Sequence, residues 1–449
     1  MSRPRLAAAL AVTLGAAAVF ASFAPGLPLH WLFGLAFGWV LQRAGFCFVA
    51  AVRDPVLTGG TTLARGLLAA VATATVGFTV VTVLTGRPGT VAPAGLNTVV
   101  GGLLFGVGMV VAGGCVSGTL MRMGDGFVMQ WVAFAGLLAG SLLGARACCS
   151  WSAPLFQGSR PVFLPDHLGW TAALGLQAAG LGLLWWLTAR HERRRFGSLA
   201  GPASLTSGEA EAEADTSAEA APSESHEAPT SPLVRLRTAA VRAAIGGFSP
   251  LAGGLALGLL NVLYFALAGR PWGIMTELTY WASALWRLFG QHPEEWAYFS
   301  SRGLVSSRTL LAHPGTALNV GIIAGAFLAP FVLSQWRLRP MKSWRHAVAA
   351  LAGGVLMGFG ARLSLGCNIG ALFSGTASLS LHGWIYLVSL FAGSLLGVRV
   401  ADAFLFQPAL RRLRGNAPGR TGPGPAPVVR TGATQAHPGT PAKAVRLGR

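Results

Sequence analysis

The chain has 449 residues, 53% of them hydrophobic and 11% charged, with a formal net charge of +19. An ordinary soluble domain carries roughly a quarter of its residues as charge, so a conventional soluble enzyme is excluded. Nucleic-acid binding is also a poor account of the positive charge, which clusters beside apolar runs as RHERRR (190–195), RLRTAAVR (235–242) and RLRPMKSWRH (337–346). Such clusters ordinarily mark cytoplasmic loops and attract anionic lipid. Residues 411–449 hold eight Lys or Arg and no acid, and no base-stacking aromatics interleave them.

About 20 apolar residues in a helix cross the roughly 30 Å hydrocarbon core. On that measure spans are expected near 6–23, 29–50, 64–85, 97–121, 127–148, 168–189, 248–268, 316–335, 346–370 and 383–405. The predicted fold is therefore an all-α polytopic membrane protein of about ten transmembrane helices. The start, MSRPRLAAALAVTLGAAAVFASFAPG, has the basic residues and small-residue stretch of a cleaved signal. Its long apolar run, followed at once by another, favours a retained first helix.

Between the sixth and seventh spans lies GPASLTSGEAEAEADTSAEAAPSESHEAPTSP, too polar to offset its ordering entropy. The expected organisation is a membrane half (1–189), a disordered cytoplasmic linker (190–245), a second membrane half (246–408) and a disordered basic tail (409–449). With the basic clusters in the cytoplasm, both termini and the linker lie inside, and 86–96, 150–167 and 270–315 lie outside.

GGLLFGVGMVVAGGCVSG (101–118) is answered by GGVLMGFGARLSLGCNIG (353–370), at one ungapped offset of 252 that pairs Cys115 with Cys367. GSLLGAR (140–146) is answered by GSLLGVR (393–399) at an offset of 253. This is an internal duplication. Under the charge-based topology the Cys115 helix runs inward and the Cys367 helix outward, so the two repeats are expected to be inverted, as in many secondary transporters with a midplane pathway.

The five cysteines are Cys47, Cys115, Cys148, Cys149 and Cys367. The adjacent pair Cys148 and Cys149 reads as incidental apolar residues or a peripheral thiol pair. Cys47, Cys115 and Cys367 each follow glycine within two residues, inside expected spans. One reading is tight helix packing, since small residues spaced four apart bring membrane helices together and a buried Cys acts as a small hydrophobe. The other is a pathway. Glycine breaks expose helix N-termini that favour anions, and a neutral thiol is a weak donor and polarizable acceptor. The candidate pathway residues are Cys47, Cys115, Cys367, Gly114, Gly366, Asn368, Arg362 and Gln42, with Arg43 and Arg122 nearby. Arg362 carries most weight, because a cation within a span is expensive and either faces the interior or snorkels. Arg122 and Asp125 are expected to close a helix at the inner face, and His382 and Trp384 to mark the membrane interface.

On QRAGFCF (42–48), AGGCVSGTLMRMGDG (112–126), GRPWGI (269–274) and GFGARLSLGCNIGALFSG (358–375), the chain resembles the YeeE/YedE family of sulfur-transport membrane proteins. The resemblance covers both membrane halves, and neither the linker nor the tail. It implies thiosulfate uptake across the bacterial inner membrane through an hourglass-shaped pathway, with Cys47, Cys115 and Cys367 relaying the anion by S–H···S contacts. The second-half position answering GFC is WGI, consistent with three cysteines. A branch of the family is linked to selenium, which leaves a selenium-related anion as an alternative substrate. A TusA-type sulfur-carrier protein is the implied soluble partner.

Competing readings are a membrane thiol oxidoreductase, for which no C-x-x-C dithiol is present, and a cysteine-ligated metal site, for which no ligand-spaced His or Cys accompanies the thiols. No G-x-x-x-x-G-K-[ST] loop occurs in the sequence. The expectation is a transporter or channel, not an enzyme, with no cofactor.

Overall fold

The structure, a computed structural model, describes residues 3–147, 153–196, 247–300, 310–341 and 343–406. Cys148, Cys149, nearly all of the expected linker and the basic tail lie outside the described residues. The principal helices are α1 (Arg3–Phe23), α2 (Leu27–Arg43), α3 (Phe48–Leu57), α4 (Thr62–Thr85), α5 (Leu96–Val111), α6 (Val116–Gly124) and α7 (Val128–Ala147). After them come α8 (Trp170–Phe196), α9 (Pro250–Ala268), α10 (Met275–Arg287), α11 (Pro314–Val332) and α12 (Trp344–Leu363). A π-helical segment (Asn368–Gly375) and α13 (Leu381–Ala401) complete the bundle. Among the described residues ten helical stretches are long and apolar enough to cross a membrane.

Two of those stretches, Leu27–Leu57 and Leu96–Gly124, are not continuous helices. Each is interrupted at its cysteine, and α12 is interrupted in the same way before Cys367. The three interruptions share one hydrogen-bond pattern. Gly45, Gly113 and Leu365 adopt left-handed backbone, with φ of 55°, 71° and 54°. Their N–H groups return to the carbonyls of Gln42, Val110 and Arg362. The next N–H groups, of Phe46, Gly114 and Gly366, reach back to Leu41, Met109 and Ala361. This is the Schellman termination, which uses a left-handed residue to satisfy the last helical carbonyls. The following residue is the cysteine, extended, and it is the N-cap of the next short helix.

Leu365 is the exception in residue type. A side chain in left-handed backbone costs about 1–2 kcal/mol, and glycine's extra freedom when unfolded gives back about 0.5–1 kcal/mol. Leu365→Gly is therefore expected to raise the melting temperature slightly in detergent, and a lowered value would mean that the side chain packs better than its backbone is strained.

Glycine also sets how closely the helices approach. A Cβ on Gly101 would sit 2.6 Å from the carbonyl oxygen of Gly360, and one on Gly353 would sit 2.6 Å from that of Gly108. These contacts are reciprocal under the repeat offset: 101 meets 360 as 353 meets 108. The same holds one layer out. Gly358 abuts Leu137 and Ser141 of α7, and Gly106 abuts Leu390 and Ser394 of α13. In lipid the hydrophobic effect does not drive helices together, so such backbone contact supplies much of the attraction.

α10 departs from the expectation that 270–315 lies outside the membrane as connection. Its Met275 and Leu278 are buried in the main core, and Thr279 Oγ1 bonds Ser141 Oγ of α7 at 2.7 Å. Thirteen residues containing Thr and Glu are too short and polar to register as a span. The chain enters the bundle at Trp272, stacked on Phe37 at 3.9 Å, and leaves toward His313, which stacks on Tyr280. Asn261 Oδ1 accepts from the Trp272 N–H at 2.9 Å and Asn319 Nδ2 donates to the Ile274 carbonyl at 3.2 Å. α8 also differs, continuing to Phe196 beyond the expected boundary at 189.

Candidate functional site

Four short segments begin in the same core: α3 after Cys47, α6 after Cys115, α10 after Ile274 and the π-helical segment after Cys367. Each N-terminal residue is buried, and the three cysteines are free thiols with relative exposures of 6%, 0% and 1%. Cys115 lies within electrostatic reach of both Cys47 and Cys367. Its sulfur is 3.4 Å from Ser117 Oγ and faces the backbone N–H of Gly118. The Cys367 sulfur faces the N–H groups of Ile369 and Gly370, and across the core that of Met275 at the head of α10. The three glycine-framed cysteines thus form one cluster, and Ile274 occupies the fourth equivalent position.

The remaining candidates divide. Asn368 joins the cluster: its Nδ2 approaches Met109 Sδ at 3.5 Å and its Oδ1 accepts from Tyr386 Oη at 3.4 Å. Gly114 and Gly366 complete the Schellman turns; a Cβ on Gly366 would come 3.0 Å from the Ala371 nitrogen. Gln42 Nε2 lies 3.5 Å from Asp125 Oδ1, and its Oε1 is buried without a hydrogen-bond partner. Asp125 caps α6 as expected and pairs with Arg339 at 3.3 Å, whereas Arg122 reaches back from the last turn of α6 to donate to the Gly113 carbonyl in the turn ahead of that helix. Arg43 lies beside Gln42, at the end of α2.

Arg362 is buried at 3% exposure in the last turn of α12, donating to Tyr298 Oη, within electrostatic reach of Cys367. Its Nε is buried without a hydrogen-bond partner. The repeat equivalent is Val110, so the duplication carries this cation in one half only.

His382, expected to mark the membrane interface, is an internal linker, while Trp384 is partly buried. His382 is fully buried and its Nε2 meets the Ser364 carbonyl at 2.6 Å, directly supporting the Cys367 turn. In the other half Gln130 Nε2 meets the corresponding Ala112 carbonyl at 3.4 Å. Trp384 Nε1 donates to Gln177 of α8 at 2.9 Å. Reasoning from the sequence also missed Tyr386, Met109 and the Met275 amide. Tyr386 had one signal, a tyrosine inside an expected span in a chain with four of them.

Ten apolar helices, several of them broken around a buried centre, define a multi-pass membrane protein. The chain belongs to the sulphur-transport family, whose model matches residues 43–396. It is 29% identical over 374 residues to a thiosulfate transporter TsuA of Spirochaeta thermophila, covering 81% of this chain and 95% of that protein. To the thiosulfate transporter TsuA of Escherichia coli strain K12 it is 26% identical, covering 85% and 95%. The probable transporter YedE of the same strain is 36% identical over 152 residues; the match spans 34% of this chain and only 37% of that relative.

Proposed function

We propose that the chain is a conduit for a small sulfur oxyanion, thiosulfate first, in the bacterial inner membrane with both termini cytoplasmic. The observation that carries this reading is the junction repeated at Cys47, Cys115 and Cys367, which gathers three thiols and short-helix N-termini in one buried place. Unpaired backbone N–H groups and helix dipoles favour an anion without the tight grip of a full ion pair. Neutral thiols offer weak, soft contacts that pass such an anion on. The reciprocal glycine contacts support two inverted repeats around that place.

A charge moving inward against 100 mV costs about 2.3 kcal/mol, so a dianion needs a coupled gradient or trapping inside. Delivery to a TusA-type carrier rests on the family resemblance. The substrate is moved unchanged, with no catalytic step.

The test is growth of a strain lacking its own thiosulfate uptake, on thiosulfate as sole sulfur source, with labelled uptake measured alongside. The full chain is expected to restore both. Good membrane abundance without either would overturn the reading, and competition of the label by a selenium analogue would measure how far the site distinguishes the two.

Arg362 has a separate expectation. A fixed positive charge near one end of a narrow path raises the local anion concentration and the capture rate tenfold or more. Arg362→Met is expected to raise the half-saturating thiosulfate concentration by about tenfold with a smaller effect on the maximal rate. Unchanged half-saturation would leave Arg362 a structural partner of Tyr298.

A further inference from the structure

We propose that an anionic glycerophospholipid is seated between α8 and the bundle. α8 is fastened at two polar points and stands off between them. At one point Gln177 Nε2 donates to Thr75 Oγ1 and to the Thr376 carbonyl, both at 3.1 Å. At the other, Glu192 Oε2 accepts from Arg65 at 2.7 Å and from Thr61 at 2.6 Å, and His191 meets the Pro55 carbonyl at 3.0 Å. The two points are fifteen residues apart, about 22 Å along a helix.

Between them lies a cavity of about 980 Å³. Its walls are mainly apolar, including Val52 of α3, Leu68 of α4, Leu184 of α8, and Leu372 and Val388 on the far side. Thr61, Thr188, Thr376 and His191 are the few polar side chains of the wall besides the arginines; a mainly apolar space of this kind holds water poorly, whereas an acyl chain fits it.

The mouth is basic. Arg190 and Arg194 line the cavity at the end of α8 and are exposed. Arg190 is steadied over the Trp186 ring at 4.8 Å. The one acid on that turn, Glu192, is fully buried and engaged by Arg65 and Thr61, so the arginines retain their surplus charge. Guanidinium groups suit a phosphodiester, which accepts paired hydrogen bonds, and they disfavour a headgroup that adds its own cation. Apolar walls beneath two arginines therefore fit a lipid with two tails and a net negative head. Leu372 and Val52 belong to the segments that begin at Cys367 and Cys47, so the lipid backs the thiol cluster.

The test is native mass spectrometry of the full chain, released from detergent with phosphatidylglycerol or phosphatidylcholine added at matched amounts. Wild type is expected to retain phosphatidylglycerol at least threefold over phosphatidylcholine. Arg190→Gln with Arg194→Gln, at an exposed helix end, should bring the two lipids level. Leu184→Trp, which fills the cavity, should lower retention of both. Equal retention by wild type, an unchanged preference in the arginine variant, or no retention of either lipid would overturn the proposal. None of these outcomes depends on the transported substrate.

Discussion

Thiosulfate uptake by Cys115→Ala is expected to fall by at least tenfold, the largest functional effect of any single side chain in the protein. Cys115 is fully buried, within electrostatic reach of both other thiols, and its sulfur has Ser117 Oγ and the Gly118 N–H as polar neighbours. On the proposed conduit, Cys115→Ala deletes a contact to the anion while removing only one sulfur atom from the core. A hydrogen bond to a charged group contributes about 1.5–3 kcal/mol, and each 1.4 kcal/mol is a factor of ten in rate. Cys115→Ser separates two accounts. If donation alone matters, serine retains most of the rate. If the soft, polarizable sulfur matters, serine is as poor as alanine. Initial rates of labelled uptake at matched membrane abundance decide between them, and wild-type rates in both variants would reduce the cluster to packing.

Gly140→Ala is expected to cost most of the folded protein. A Cβ there would overlap the carbonyl oxygen of Val355 in α12, leaving no rotamer by which to escape. Overpacking costs about 1–3 kcal/mol when neighbours can yield, and here the neighbour is backbone. The displaced helix carries Arg362 and ends at the Cys367 turn, so surviving protein should also transport poorly. Gly393→Ala, which would overlap the Leu103 carbonyl at the repeat-related position, should behave alike. Gly182→Ala is the control: it sits on α8 with nothing within 4 Å, and a helix gains about 1 kcal/mol from alanine over glycine. Recovery after detergent extraction and the melting temperature report all three. Equal recovery of Gly140→Ala and wild type would mean that α7 and α12 can separate at no cost.

Much of this was legible in the residues. Apolar runs located the spans because lipid admits almost no alternative to a satisfied helix. The duplicated glycines and Cys367 answering Cys115 marked where the helices break. α10 was not legible, since thirteen mixed residues held by Ser141, Asn319 and Trp272 have no hydropathy signature of their own. His382 was misjudged for a related reason. Whether a polar side chain within a span meets the centre, a cap or a neighbouring helix depends on its azimuth, which a single sequence does not carry.

Composition and spacing by themselves determined that this chain crosses the membrane many times, that residues 101–146 are answered by 353–399, and which cysteines stand out, because those properties follow from local hydropathy and sequence identity. Tertiary packing alone decided that three separate Schellman turns meet in one core, that the Met275 amide faces Cys367, and that α8 stands off above a basic-mouthed cavity. Those are relations between segments up to several hundred residues apart, set by which glycine backbones dock and by the few buried hydrogen bonds that must be satisfied when they do.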